Sequence, residues 1–272
     1  MIKYNRKIVN QDKKTVLALL AHPDDAEFLC GGTLALLALR NWEIHIATST
    51  AGDLGSRTLP PNEIAEIRRG EGVAAARIIG AHYHCLELKD LQVFYGEKGL
   101  SRVIALLRRI QPDLVITHSP SCYMIDHEET SRLVRAGCFA APVPHIAFPK
   151  QYLESPLGQI PFLYYADSWE GFDLFGKRSP ATLAIDITSV FGTKLEMLRC
   201  HASQQEWLHQ HHKMDDYLEI ARNWSQKRGI DSGFKHAEVF RQHLGHAYPR
   251  NNLLGQTLKD VSKNIVVTSS FE

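Results

Sequence analysis

Hydrophobic and polar positions alternate along the first half of the chain in a strand–helix rhythm. Thr15 to Ala21, TVLALLA, is apolar without interruption, the pattern of a strand covered on both faces. EFLCGGTLALLALR then predicts a helix. Glu43 to Thr50, EIHIATST, is β-branched and partly alternating and predicts a second strand, closed by the glycines and prolines of AGDLGSRTLPPN. Asn62 is placed to cap a helix with Glu63 and Glu66 in its first turn, and Ile64, Ile67, Ala74 or Ala75 and Ile78 recur at helical spacing up to Gly80. HYHCLEL predicts a third strand, SRVIALLRRI a helix stopped by Gln111-Pro112-Asp113, and LVITHS a fourth strand. Such alternation argues for an α/β fold with a mainly parallel sheet, helices on both faces, and ligands beyond the carboxyl ends of the strands.

Past about Pro142 the rhythm weakens. APVPHIAFPK and SPLGQIPF read as proline-punctuated walls of an active site, and TLAIDIT as one more strand. A helical tract is expected from Thr193 to Lys227 and a further helix from Lys235 to Leu244. No repeat or linker interrupts the chain. The expectation is one domain over 1–272, with the α/β core at 10–141 and with 142–272 supplying loops, one strand and C-terminal helices.

Composition narrows the partners. At 272 residues, 44% hydrophobic and 22% charged, the chain is long enough to bury a large core. Lys+Arg 31 against Asp+Glu 30 leaves a net charge of +1, so no broad basic field favours nucleic acid. Five dispersed cysteines without C-x-x-C suit free thiols in a reducing compartment, and the cytoplasm is the expected location. The opening MIKYNRKIVNQDKKTVLALLAHPDD does not read as a signal peptide, because acids stand where small cleavage-site residues belong. No uncharged apolar run reaches the ~18 residues of a membrane span. A small-molecule substrate is the expected partner, with homo-oligomerisation left open.

The chemistry gathers at strand ends. Asp24, Asp25 and Glu27 crowd the first turn, where like charges need a positive partner. Gly31-Gly32 invites a nucleotide-binding reading, yet that fingerprint needs glycines in the turn itself, and the acids there would repel phosphate. A cation fits better. His22 and Asp25 are ligand types suited to Zn²⁺, and a catalytic zinc keeps three protein ligands and an exchangeable water. The third is expected in THSPSCYMIDHEETSRLV, after the fourth strand: His127, with Asp126 orienting its ring through the second nitrogen. Asp24, beside Asp25, is left to face the metal-bound water as general base. Asp126 also reads as an N-cap with Glu129 three residues on. Arg68 reads as a solvated helix residue or a partner of Glu71 as readily as a functional residue, and His118 as a strand-end or pocket residue. His209 and His212, one turn apart, are expected on an exposed helix face.

AHPDDAE followed by GGT, then EIRRGEGVAAARIIGA, YMIDH and HASQ, resembles the PIG-L/LmbE-like family of zinc-dependent N-deacetylases. The resemblance covers most of the chain. It implies a Rossmann-like sheet, His22, Asp25 and His127 as zinc ligands, Asp24 as general base and Arg68 as a substrate contact. It further implies hydrolysis of an N-acetyl group on an amino sugar or an N-acetylglucosamine-containing glycoside. Fe²⁺ or Co²⁺ would also suit such N/O ligands. One departure stands out: where the family's H-x-D-H has its first histidine, this chain has Met124, which neither donates a proton nor holds charge. His118, Tyr123 and His201 are candidates for that role. The alternatives are an amidase for larger acyl groups and a noncatalytic metal-containing binding protein.

Overall fold

A computed structural model describes residues 13–146, 154–205 and 217–265. The elements run β1 (Thr15–Leu20), α1 (Asp25–Leu39), β2 (Glu43–Thr50), α2 (Pro61–Ile78), β3 (His82–Leu88), α3 (Glu97–Ile110), β4 (Leu114–Thr117), α4 (Ile125–Ala140) and β5 (Phe162–Ala166). After these come β6 (Leu183–Asp186), α5 (Phe191–Arg199), α6 (Tyr217–Ser232), β7 (Ala237–Gln242), α7 (Leu253–Thr257) and β8 (Ser262–Asn264). One eight-stranded sheet has the order β3-β2-β1-β4-β5-β7-β6-β8. The first five strands are parallel, and β7, β6 and β8 add an antiparallel flank.

Burial on both faces explains the unbroken apolar run of β1. Val16, Ala18 and Leu20 enter a core shared with α1 and α5, while Leu17 and Leu19 enter one shared with α3 and α4. Truncating any of these leucines to alanine would cost ~2–5 kcal/mol. The chain reverses direction across the sheet between β1 and β4, and that switch point opens a crevice at their carboxyl ends. Gly31-Gly32 serves packing instead of phosphate. A Cβ at Gly32 would meet Ile187 at 2.8 Å, so α1 can lie this close to the β6–α5 connection only without one.

Three readings of the second half are corrected. Lys235–Leu244 holds strand β7, not a helix: Ala237 to Phe240 are buried and pair with β6, Phe240 to Gln242 pair with β5, and this two-sided pairing of the strand overrides the helix-forming residues around it. Phe162–Ala166 and Ser262–Asn264 are strands as well, so the later half adds four strands to the sheet, not one. The tract from Thr193 does not run unbroken: α5 ends at Arg199, and Ala202 opens a new helical turn. His209 and His212 lie outside the described residues. The second helix begins at Pro61, with proline in its first turn, one residue before the expected cap at Asn62.

β7 also anchors α1. Glu238 accepts from the N–H groups of Gly32 (2.9 Å) and Thr33 (2.7 Å), and its Oε1 lies 2.8 Å from Lys194 Nζ. Lys194 Nζ in turn donates to the Phe28 carbonyl at 2.7 Å. A fully buried ion pair thus grips the helix whose first turn carries the acids.

Candidate active site

The turn after β1 is drawn tight. His22 N–H donates to Asp25 Oδ2 at 2.7 Å, and Asp24 takes a left-handed backbone conformation, φ 110° and ψ −26°, as the residue preceding α1. Arg68, from α2, buttresses the turn: it donates to the carbonyls of Pro23 (2.9 Å) and Gly52 (3.2 Å). Its guanidinium occupies the space that side chains at 52 and 55 would need, since added Cβ atoms would lie 2.0 and 2.6 Å from Nη1. Gly52 and Gly55 are therefore the price in sequence of burying this arginine. Arg68 borders the cleft, but much of its donor capacity is directed at the backbone, and Glu71 instead binds the backbone N–H and hydroxyl of Ser203.

His22, Asp25 and His127 come together. One ligand atom from each lies within 4.8 Å of the others, and all three residues are buried. Asp25 Oδ2 is 3.3 Å from His22 Nδ1, and Oδ1 is 3.6 Å from His127 Nε2. Burial pushes the Asp25 carboxyl up, and the imidazoles of His127 and His118 more than offset this, holding it well below the usual carboxylate range. Burial and His118 hold the His127 ring well below its ordinary value, hence neutral at pH 7. An ionised carboxylate beside a neutral imidazole is a donor set suited to a divalent transition metal.

Asp126 has a different partner from the one expected. Its Oδ2 accepts from Leu91 N–H at 2.7 Å and lies 3.4 Å from His22 Nε2, whereas His127 Nδ1 faces Cys122 Sγ at 3.3 Å. Asp126 sits inside the first turn of α4, behind Met124 at the cap position, so it is not the N-cap either. Its carboxylate points back across the sheet toward β1. Sequence reasoning missed Asp90, whose Oδ1 lies 2.8 Å from His22 Nε2. It follows β3, 68 positions from His22, and only its place at a strand end pointed to it. Burial works against a charged His22, but Asp126, Asp25 and Asp90 outweigh it and raise its pKa well above the ordinary value. Three buried carboxylates around one ring demand positive charge.

Asp24 turns its carboxylate into the cleft. Tyr217 OH donates to Oδ2 at 3.0 Å, and Oδ1 lies 3.8 Å from Arg68 Nη2. Burial pushes the carboxyl up to about 6, with Arg68 pulling it down and Asp25 pushing it up. The cleft, about 350 Å³, is walled by Phe28, Tyr123, Met124, Trp169 and Tyr217. Phe28 and Trp169 rings are 4.8 Å apart, and Tyr123 and Trp169 5.9 Å. His118 stacks on His127 at 3.9 Å and 7°, buried behind it, and His201 is buried against Glu27 at 3.5 Å. Neither borders the cleft; Tyr123 does.

Residues 17–138 match the family model described as PIG-L: GlcNAc-PI de-N-acetylase. This segment is a PIG-L domain. The match spans the acidic turn, Arg68, Asp90 and the α4 histidine. Over the whole chain, the similarity extends to 4-oxalmesaconate hydratase of Pseudomonas putida, 23% identical across 90% of this chain and 94% of that protein. The 1D-myo-inositol 2-acetamido-2-deoxy-alpha-D-glucopyranoside deacetylase of Corynebacterium diphtheriae is 25% identical across 71% of this chain and 76% of its own. The solved structure of N,N'-diacetylchitobiose deacetylase from Pyrococcus horikoshii superposes with a TM-score of 0.71 at 24% identity, covering 90% of this chain and 91% of that one, and so shares the fold. No helix among the described residues is long and apolar enough to cross a membrane.

Proposed function

We propose that this protein is a metal-dependent hydrolase that removes an N-acetyl group from an amino sugar or an N-acetylglucosamine-containing glycoside. The observation that carries the reading is the convergence of His22, Asp25 and His127 beneath a cleft into which Asp24 projects. Relatives with deacetylase names, including the inositol glycoside enzyme, support the substrate class. Zinc is the metal proposed: bound there, it polarises the amide carbonyl and acidifies water.

The remaining work falls to this chain's side chains. Tyr217 OH occupies Oδ2 of Asp24, which leaves Oδ1 to take a proton from the attacking water. As the C–N bond breaks, Asp24 returns that proton to the leaving nitrogen, giving acetate and a free amine. Tyr123 borders the cleft beside the apolar Met124 and is the residue we assign to serve the carbonyl oxygen. Phe28, Trp169 and Tyr217 offer flat apolar surface for sugar C–H faces. Arg68 keeps the acidic turn in place and borders the substrate. Asp90 and Asp126 hold His22, fixing which ring nitrogen faces the ligand cluster.

The hydratase relative favours a second reading, water addition to an unsaturated acid. Among the described residues Arg68 is the cleft's one arginine or lysine, and it is already bonded to Pro23 and Gly52. An acid of several carboxylates would find little there to neutralise it, which favours the amide. Acetate release from N-acetylated amino sugars by metal-loaded protein tests the choice. Asp24→Asn should lower turnover ~10²–10⁴-fold while metal content is unchanged; full turnover in that variant would remove Asp24 from the reaction. No turnover on any amide, with water added to an unsaturated acid instead, would establish the second reading, and binding without turnover on either would leave a noncatalytic protein.

A further inference from the structure

A second cavity, about 440 Å³, opens beyond the far side of the catalytic wall, between α4, the β5–β7 pair and the segment that leads into β6. Arg135 of α4, Tyr165 of β5, Ser168, Arg241 of β7 and His243 border it. The antiparallel register sets Tyr165 opposite Arg241. The Tyr165 hydroxyl lies 3.0 Å from His243 Nδ1. Burial and then Arg135 lower the pKa of His243, so its ring is neutral at pH 7.

The charge balance of this cavity is one-sided. Asp167 is the one carboxylate among its described lining residues, and Arg228 takes it in a bidentate pair at 2.6 and 2.8 Å while Trp224 adds a third bond at 3.1 Å. Neither Arg135 nor Arg241 has an ion-pair partner within 4.0 Å among the described residues. Two guanidinium groups therefore face a cavity large enough for a small metabolite, with a phenol and a neutral imidazole between them. Planar, forked donors of this kind suit carboxylate and phosphate oxygens. The geometry points to a second ligand site, specific for a small oxyanion, a carboxylate or a phosphate ester, held by Arg135 and Arg241 and distinct from the catalytic cleft. Ser168 borders this site and Trp169 the catalytic one, so the two share a wall one residue thick.

Calorimetric titration of the metal-loaded protein with inorganic phosphate and with succinate, at matched ionic strength, tests the site. Saturable binding of at least one anion is expected, weakened at least tenfold in Arg241→Gln and in Arg135→Gln, and partly recovered in Arg241→Lys, which keeps the charge but not the fork. Preference for phosphate over succinate, or the reverse, tells the phosphate ester from the carboxylate. Both arginines are exposed, and unchanged circular dichroism and amide turnover in the variants would show that the fold and the catalytic cleft are intact. Binding equally tight in both glutamine variants, or no saturable binding of either anion, would overturn the assignment.

Discussion

The two cavities on either side of the Ser168–Trp169 segment carry opposite charge. The catalytic cleft is bordered by Asp24, Asp25 and Asp90 against the single guanidinium of Arg68, with Asp126 buried just behind. Its neighbour presents Arg135 and Arg241 against an Asp167 already neutralised by Arg228. The contrast follows from topology. The first cleft is fed by turns at the carboxyl ends of parallel strands, where β1, β3 and β4 each deliver acids or imidazoles. The second lies on the antiparallel flank, where β7 runs the other way and brings side chains from its final residues. A single wall thus separates a place that calls for a cation from one that calls for an anion.

Substitutions that erase this contrast rank by expected effect. Asp25→Asn should do most: with one ligand carboxylate gone, metal content measured on purified protein should fall to background and acetate release by at least ~10³-fold, while phosphate titration of the neighbouring cavity stays as it was. Glu238→Ala reaches both regions, because its strand lines the second cavity while its carboxylate grips α1. Leaving Lys194 buried and unpaired should cost ~3–5 kcal/mol in urea unfolding. A single cooperative transition would show that the two regions melt together. Asp90→Leu should be gentler, weakening metal affinity ~10–100-fold in chelator competition, with turnover largely recovered at saturating metal.

The smallest effect lies at the opposite end of the sheet. His84 is pulled down to about 4 by burial first, then by His45 and Arg109, and His45 is also lowered, by burial and then His82, with Glu43 opposing. Because the unfolded chain binds protons at these two rings that the folded one refuses, the pair's contribution to stability should be flat above about pH 6.5 and turn unfavourable as pH falls toward 4. His84→Gln should flatten that decline in thermal melts across the same window.

Much of the first region was legible in the sequence. Unbroken apolar runs marked β1 and β4, and crowded acids after β1 demanded a cation. The structure places His22, Asp25 and His127 together, as ligand chemistry suggested. What escaped was set by distance. Asp90, from the loop after β3, and Asp126, from the first turn of α4, serve His22 from far along the chain, and nothing local in KDLQ or MIDH says which imidazole they meet. The antiparallel flank was harder to read for another reason. β7 is buried along Ala237 to Phe240, so it lacks a polar face to give period two, and β5 sits among prolines that suggested only loops.

The backbone at Asp24 has a wider meaning for the protein's durability. A side chain held at φ 110° costs ~1–3 kcal/mol that glycine would not incur. On stability grounds alone, glycine is the better residue at this corner. The carboxylate is retained against the interest of the fold, so the point at which the chain is most ready for chemistry is also one at which its architecture is under tension.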